Sequence, residues 1–447
     1  MKRKTMRGKA CWAGRVRAAV LLLLLCLCSF GPAGAQRFTA TVVDAGSRET
    51  LPFASVYVNG RTATITNLEG AFSIECDSAD VLRISYVGYK TAYVRADRMG
   101  HVVALSANET LLQEVVVVPI APMINKITKE TLRQLRNYSH KKSEFYYRQT
   151  AFSDSTCYEF AESFLTGCPA VTLSKLRLLT GRYAGLQPDS LNFYNYFGNF
   201  YTFSQVEVAA NYVNPRTIDD VVPLFRNYDK YYDVYYHVIA EDDGRVFVIR
   251  FEPKPESLEK NYSMLAATLY VDEKTLHLRR IVGEGRNYWI VTRQKTEGFA
   301  PILGKYEKYV KNRILTSTHF DVHLNDTRGF SEVRSVYVED VHQEYGVDSL
   351  MPPKTVTTRS LLFNLGTEKE ARKRNIFQRI GDFLKEQTQV RQKGESLNFN
   401  NKLHEKIDSQ GYDPEFWNKN EIVRRTPIEQ EVLELFQQKN LFGLMEE

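Results

Sequence analysis

Residues 51–90 decide the fold. They run Leu51-Pro52-Phe53-Ala54-Ser55-Val56-Tyr57-Val58-Asn59-Gly60, then Thr64-Ile65-Thr66-Asn67-Leu68-Glu69-Gly70-Ala71-Phe72-Ser73-Ile74, then Leu82-Arg83-Ile84-Ser85-Tyr86-Val87-Gly88-Tyr89-Lys90. Ala54, Val56 and Val58 fall on one side of an extended chain, and Leu82, Ile84 and Tyr86 on one side of another. A two-residue apolar period marks half-buried strands. Asn59-Gly60 predicts a hairpin turn, because both residue types tolerate positive φ. Gly70 and Gly88 punctuate the later strands. The stretch therefore predicts a small antiparallel β-sandwich, and none of its residues forms a reactive constellation.

The flanks extend this unit to residues 36–118. A strand at Thr39–Val43 opens it and Val102–Leu105 continues it. Leu111-Leu112-Gln113-Glu114-Val115-Val116-Val117-Val118 is apolar without alternation, so it is expected to close the unit as a strand covered on both faces. Pro119 and Pro122 then mark a boundary. The motifs Leu51-Pro52-x-Ala54-x-Val56, Thr66-Asn67-x-x-Gly70-x-Phe72, Ser85-Tyr86-x-Gly88-Tyr89 and Leu112-x-Glu114-Val115-Val116-Val117 resemble the carboxypeptidase-regulatory-like domain, a transthyretin-like β-sandwich. That domain stands at the N-terminus of many envelope proteins and TonB-dependent receptors of Gram-negative bacteria, so the resemblance implies the same compartment. The pattern departs at Ala40, where Gly is usual, and at Asn67, where Asp is usual.

Residues 1–35 read as a secretory signal peptide. Seven basic residues and no acid precede an apolar run from Ala18 to Leu27, and Ala33-Gly34-Ala35 supplies an A-x-A cleavage site. The run is short for a membrane span, and no later stretch approaches the needed length. Losing those seven basic residues takes the formal charge from +6 to −1, which removes the electrostatic basis for nucleic-acid binding. Cys26 and Cys28 follow Leu where bacterial lipoboxes place a small residue, which argues against a lipid anchor. The mature chain keeps Cys76, Cys157 and Cys168. If Tyr158–Thr166 is one strand, its ends lie roughly 30 Å apart at ~3.3 Å per residue, too far for a disulfide. Three buried thiols are expected.

Beyond the boundary, the spacing of Ile124, Ile127, Leu132 and Leu135 predicts an amphipathic linker helix within 119–143. Residues 144–365 read as a larger β-rich domain, an antiparallel meander from about 230 onward. Asp243-Gly244 and Asp272-Glu273-Lys274 are hairpin signals, and the strand–turn–strand pattern around Tyr270 resembles lipoprotein-carrier-like half-barrels. The order Asn137-Tyr138, Tyr147-Arg148, then Glu159-Phe160-Ala161-Glu162 is similar to envelope proteins with the same N-terminal domain, although Gln149 stands where Glu is usual. Residues 366–447 read as a polar and helical segment. Within it, Thr426-Pro427-Ile428-Glu429 is a helix start, with Ile428, Val432, Leu435 and Phe436 as its apolar face. The fold class is thus mainly β, with a transthyretin-like sandwich, a linker helix, a half-barrel-like meander and C-terminal helices.

Candidate chemistry is sparse. Zinc hydrolysis needs His or carboxylate ligands beside a general base, and neither His-x-x-Glu nor His-Glu-x-x-His occurs. In the metalloenzymes that give the domain its name, the sandwich is accessory. His319, Asp321 and His323 alternate on one strand face, with His342 on the next strand, and two imidazoles and a carboxylate suit zinc or iron. A polar sheet face explains the same pattern more simply. No Gly-x-Ser-x-Gly elbow or phosphate-binding glycine loop is present. The aromatic run Phe193, Tyr194, Tyr196, Phe197, Phe200, Tyr201 and Phe203 fits a sheet cap or a partner contact. The expectation is a non-enzymatic, exported binding or structural module without cofactor. It would sit in the periplasm or on the periplasmic or outer face of the outer membrane, with an envelope protein or a glycan or lipid ligand as partner. The alternative is a lipid carrier, and a metal-dependent enzyme is the distant third.

Overall fold

The alternating apolar positions of the opening stretch do become strands, and they build a two-sheet sandwich. The structure is a computed structural model that describes residues 36–59, 61–108, 110–111, 120–136, 142–153, 156–168, 176–186, 228–242, 244–256, 266–291, 313–327, 330–344, 354–367, 395–396, 407 and 412–442. The sandwich strands are β1 (Gln36–Asp44), β2 (Ser55–Val58), β3 (Arg61–Ile65), β4 (Ala71–Cys76), β5 (Val81–Ser85), β6 (Ala92–Arg95) and β7 (Val102–Leu105). One sheet has the order β4-β1-β7 and the other β3-β2-β5-β6. Val42, Val56, Phe72, Leu82 and Ile84 are fully buried between them.

The Thr66-Asn67-x-x-Gly70 motif is a hydrogen-bonded corner. Thr66 Oγ1 donates to the Leu51 carbonyl (2.7 Å) and accepts from the Ala54 amide (2.8 Å). Asn67 Oδ1 accepts from the amides of Glu69 (3.0 Å) and Ala71 (2.9 Å), a side-chain turn that an Asp would make equally well. Gly70 sits at φ 72°, and a Cβ there would lie 2.7 Å from the Val42 carbonyl oxygen. Thr66 and Asn67 are thus both used in building the corner.

The next short strand, β8 (Thr110–Leu111), pairs with the edge of a second, larger sheet, opposite Val238 and Ile239; the rest of the run expected to close the sandwich, residues 112–118, lies outside the described residues. The chain then forms α1 (Ile120–Arg136), followed by β9 (Ser143–Ser153), β10 (Thr156–Gly167) and β11 (Arg177–Gly185). After the one-turn helix α2 (Tyr228–Tyr231) come β12 (Tyr232–Glu241), β13 (Gly244–Pro253), β14 (Ala266–Asp272), β15 (Leu278–Val291), β16 (Arg313–Thr327), β17 (Phe330–Glu344) and β18 (Lys354–Thr367), and later β19 (Glu395–Ser396). The sheet order is β19-β11-β10-β9-β18-β17-β16-β15-β14-β13-β12-β8, antiparallel between its long strands and open at its ends. The meander is therefore present, and its last long strand returns to pair with its first.

Both faces of this sheet are covered at β9, which is why ten of its eleven residues are buried despite its mixed composition. On one face, the helix face, α1 lays Ile124 and Ile127 against a cluster that includes Phe145, Leu269, Ile281, Phe320, Val338 and Leu362. The Gln134 side-chain amide fastens α1 further: its Nε2 donates to the Leu278 carbonyl (3.0 Å) and its Oε1 accepts from the Leu278 amide (2.8 Å). The helix expected as a linker is thus part of the core. Gln149 also lies on this face, donating to the buried Glu159 carboxyl (2.5 Å) and accepting from Tyr147 and Ser360. Burial pushes Glu159 up to about 7, and a Glu at 149 would set a second carboxyl against it.

The opposite face, the sandwich face, receives the sandwich and the C-terminal segment. Phe53 and Ile65 join Tyr146, Phe164, Tyr337 and Phe363 of the sheet and Phe416, Trp417, Ile422 and Val423 of the chain end in one apolar cluster. Phe53 adopts φ 61°, a strained conformation for a bulky residue, and so brings its ring to 4.6 Å from that of Tyr337. The end helices are α3 (Pro414–Lys419), capped by Asp413, and α4 (Pro427–Gln438), which has the expected Thr426–Glu429 capping box. Its buried face is Val432, Leu433 and Phe436; Ile428 and Leu435, expected inside, are 51% and 41% exposed. Cys76 and Cys157 are buried as expected, Cys168 is half-buried, and none of the three joins a disulfide. Among the described residues no helix is long and apolar enough to cross a membrane.

A buried ionic cluster ties the chain end to the sheet. Glu162 on β10 lies opposite Arg148 on β9 and Arg182 on β11. Its carboxylate accepts from Arg148 Nε (2.9 Å), Arg182 Nε (2.8 Å), the Tyr146 hydroxyl (2.5 Å) and Arg425 Nη2 (3.3 Å). Burial would raise its pKa, but Arg182, Arg425 and Arg148 outweigh that and hold it well below the usual carboxylate range. Arg148 continues to Glu429 (3.1 Å) and to the Val423 carbonyl (2.6 Å). Removing one member of such a cluster leaves buried charge uncompensated. Glu162→Gln should destabilise the fold by about 3–5 kcal/mol and loosen residues 420–442 first, measured as a lower urea midpoint with early hydrogen exchange in α4; an unchanged midpoint refutes this role.

Candidate functional site: a groove between sandwich and sheet

The outward positions of β2 and β5 carry the chemistry that the inward positions lack. Tyr57 and Arg83 are cross-strand partners, and the Arg83 guanidinium carbon stands 3.9 Å from the Tyr57 ring centroid. With Tyr86, Tyr89, Thr91 and Tyr93 they form one wall of a groove of about 580 Å³. The other wall is one end of the large sheet, where the β12–β13 hairpin supplies Glu241 and Asp242 and the β14–β15 hairpin supplies Asp272, Thr275 and His277. Arg279, Asn325 and Arg334 complete it.

The acidic residues of this groove are engaged. Glu241 accepts from Arg279 Nη1 (2.7 Å) and from the Gly88 amide (3.0 Å). Asp242 accepts from the Thr91 amide (3.1 Å). Asp272 accepts from the Thr275 amide (2.7 Å) and from Arg279. These bonds also fix the sandwich to the hairpin tips, because Gly88 and Thr91 belong to the former and Glu241 and Asp242 to the latter.

Behind the groove lies a second buried polar cluster. Arg280 Nε and Nη2 grip the two Asp321 oxygens (2.9 and 2.6 Å), and Nη2 also reaches the Tyr86 hydroxyl (2.7 Å). Arg334 Nη2 lies 2.9 Å from His323 Nδ1, and its Nη1 donates to the Tyr57 hydroxyl (3.1 Å). A guanidinium can only donate, so His323 Nδ1 is the acceptor and the ring is neutral with its proton on Nε2. That nitrogen lies 3.1 Å from Asp321 Oδ1. Burial lowers the His323 pKa from the ordinary 6.5 to about 4, with Arg334 and Arg280 adding to the shift against the opposing pull of Asp321.

The candidate ligand set of the sequence is therefore found on one face, as its alternation requires, but in different surroundings. His319 is exposed, with its ring 6.4 Å from that of Tyr337. Asp321 and His323 are buried at the sandwich contact with arginine donors on both sides, an environment that repels a divalent cation. The His342 side chain, the aromatic run 193–203 and most of 366–410 lie outside the described residues. Among the described residues no group of three or more His, Cys, Asp or Glu is arranged to hold a metal ion. Sequence reading had passed over Tyr57, Arg83 and Arg334. The first two carried a signal, since polar outward residues on two paired strands face whatever covers that sheet. Arg334 carried none, because a register shift in the β16–β17 pairing beside it sets where it points.

The neutral histidine has a measurable consequence. The unfolded chain takes the proton near 6.5 and the folded chain near 4. Stability from this group is therefore complete above 6.5 and lost as pH falls toward 4, by about 3 kcal/mol. Urea midpoints between pH 7 and 4 should fall less steeply in His323→Gln than in the parent; parallel curves refute the assignment.

No curated protein matches the chain. Among solved structures, a LolA superfamily protein from Nitrosomonas europaea aligns over 53% of this chain and 92% of its own, at 10% identity and a TM-score of 0.17. A DUF1329 family protein from Desulfovibrio piger aligns over 55% and 95%, at 12% identity and a TM-score of 0.19. A lipovitellin structure concerned with lipid–protein interactions aligns over 51% of this chain but spans 25% of the lipovitellin chain, at 12% identity and a TM-score of 0.24. The family model described as the CarboxypepD_reg-like domain matches residues 38–117, so the sandwich that walls the groove is a CarboxypepD_reg-like domain.

Proposed function

We propose that the chain is a non-enzymatic, exported envelope protein that binds a ligand in the groove between the sandwich and the large sheet. The observation that carries this reading is the groove itself. Its volume of about 580 Å³ falls within the range of small-ligand sites, roughly 300–1,000 Å³. Four tyrosines, Tyr57, Tyr86, Tyr89 and Tyr93, line it. Tyrosine offers an apolar face and a polar tip, which suits a ligand that is itself part apolar and part hydroxylated, such as a glycan. The carboxylates Glu241 and Asp272 are tied to Arg279 and to backbone amides, which supports a structural use rather than general-base work. The basic, apolar and small-residue order of residues 1–35 supports export. Tyr93 is 67% exposed, so its removal tests the surface without disturbing the core. On a panel of neutral and acidic oligosaccharides, the mature protein should retain at least one class, and Tyr93→Ala should bind it about tenfold more weakly, roughly the worth of one aromatic contact. Retention of none, or equal retention by the variant, overturns the reading.

Carriage of a lipid or another apolar ligand is the second reading. Its mark is an apolar concave cavity rather than a filled core, and the place for one is the helix face, where α1 lays Met123, Ile124 and Ile127 over the apolar cluster. Native mass spectrometry of protein taken from its own envelope should then show bound lipid, and a ligand-free mass removes this reading.

A further inference from the structure

Two cations of the groove stand without an anion. Three carboxylates face Arg279 or backbone amides there, and Arg280, behind the groove, is matched by Asp321. Arg83 and Arg334 have no carboxylate partner among the described residues. Arg334 is 8% exposed, and its two polar contacts among the described residues, the Tyr57 hydroxyl and the lone pair of His323, are neutral. Its Nε is buried without a hydrogen-bond partner, as is the Nε of Arg83. Tyr57 lies between them, under the Arg83 guanidinium and bonded to Arg334, so the two cations are held within about one tyrosine ring of each other. Like charges so placed repel, and a buried guanidinium without a counter-charge is costly.

We infer that the groove takes an oxyanion, the phosphate or carboxylate group of its ligand, between Arg83 and Arg334, with Tyr57 as a further polar contact. This rests on the groove being the binding surface and specifies what it recognises. Guanidinium groups present donors in a fixed planar fork that matches the paired oxygens of phosphate and carboxylate. The stacking of Arg83 on Tyr57 holds that fork in place, so less ordering cost falls on binding. The tyrosines beside the two arginines would contact the rest of an amphipathic anionic molecule, either an acidic saccharide or a lipid headgroup.

Titration calorimetry of the mature protein with inorganic phosphate, with an oligogalacturonate and with its neutral methyl ester, beside flotation with vesicles of phosphatidylcholine alone or mixed with phosphatidylglycerol, separates these sources. The expected result is binding of an oxyanion probe, weakened at least tenfold in Arg83→Gln and lowered by added salt. Arg83 is half-buried, and its change should leave the urea midpoint near the parent's; Arg334→Gln, read beside it with that midpoint, should weaken the same probe. Oligogalacturonate without its ester indicates an acidic glycan, whereas flotation confined to anionic vesicles indicates a headgroup. Equal affinity for oligogalacturonate and its neutral ester, or an unchanged affinity in Arg83→Gln, overturns the oxyanion seat while leaving the groove as a binding surface. Absence of any binding that Tyr93→Ala or Arg83→Gln alters removes the groove reading and this inference together.

Discussion

The structure hangs on a carboxylate that water never reaches. Glu162 is fully buried and answers Arg148 and Arg182 from its two neighbouring strands and Arg425 from the chain end. Desolvating one carboxylate and three guanidiniums is expensive, and attraction repays it only where the geometry is closely matched and the charges balance. Glu429 and Glu421 supply that balance around the arginines. The energetic content is therefore less a bonus to stability than a demand for one arrangement. Residues 421–429 can lie in a single place on the sheet, because any other leaves charge buried and unmatched.

That placement propagates. With Arg148 bonded to the Val423 carbonyl and Thr64 of the sandwich bonded to the Ile422 carbonyl (2.7 Å), the chain end becomes a wedge between the two units. Phe53, Ile65, Phe416 and Trp417 then close an apolar cluster around it. At the other end of the interface the sandwich is held by Gly88 and Thr91 on the acidic hairpin tips. The groove opens beside that second attachment. Its contrast with the Glu162 cluster is instructive: in the cluster each arginine finds a carboxylate, whereas at Arg83 and Arg334 the described chain offers none. Two parts of one interface thus treat the same residue type differently, and the difference separates a structural contact from a receptive one.

Individual residues show how much was legible. The sandwich could be read because its apolar period and its Thr66–Gly70 corner are local. Asn67 acts on residues two and four positions away, and Gly70 is required by its own φ. The capping box of α4 was legible for the same reason. Where coverage rather than local geometry sets the pattern, reading failed. Ile428 and Leu435 follow the helical period of α4 but stay exposed, and Leu433 is buried in their stead. Tyr146-Tyr147-Arg148-Gln149 shows no clean alternation because both faces of β9 are covered. The His319–Asp321–His323 alternation correctly placed three side chains on one face, but not what that face would meet.

The sequence by itself determined the sandwich, its corner, the meander of long antiparallel strands and the start of the last helix, since each is marked by a local pattern of apolar period, turn residues or cap. Tertiary structure alone decided that β8 pairs with the large sheet, that α1 packs on that sheet, and that Asp321 and His323 face arginines. It also brought Arg83 to within a tyrosine ring of Arg334, a residue some 250 positions away in the chain. The physical reason is that a charge is defined by what neutralises it. No local pattern of residues says which carboxylate, or none, will stand opposite an arginine once the chain has folded.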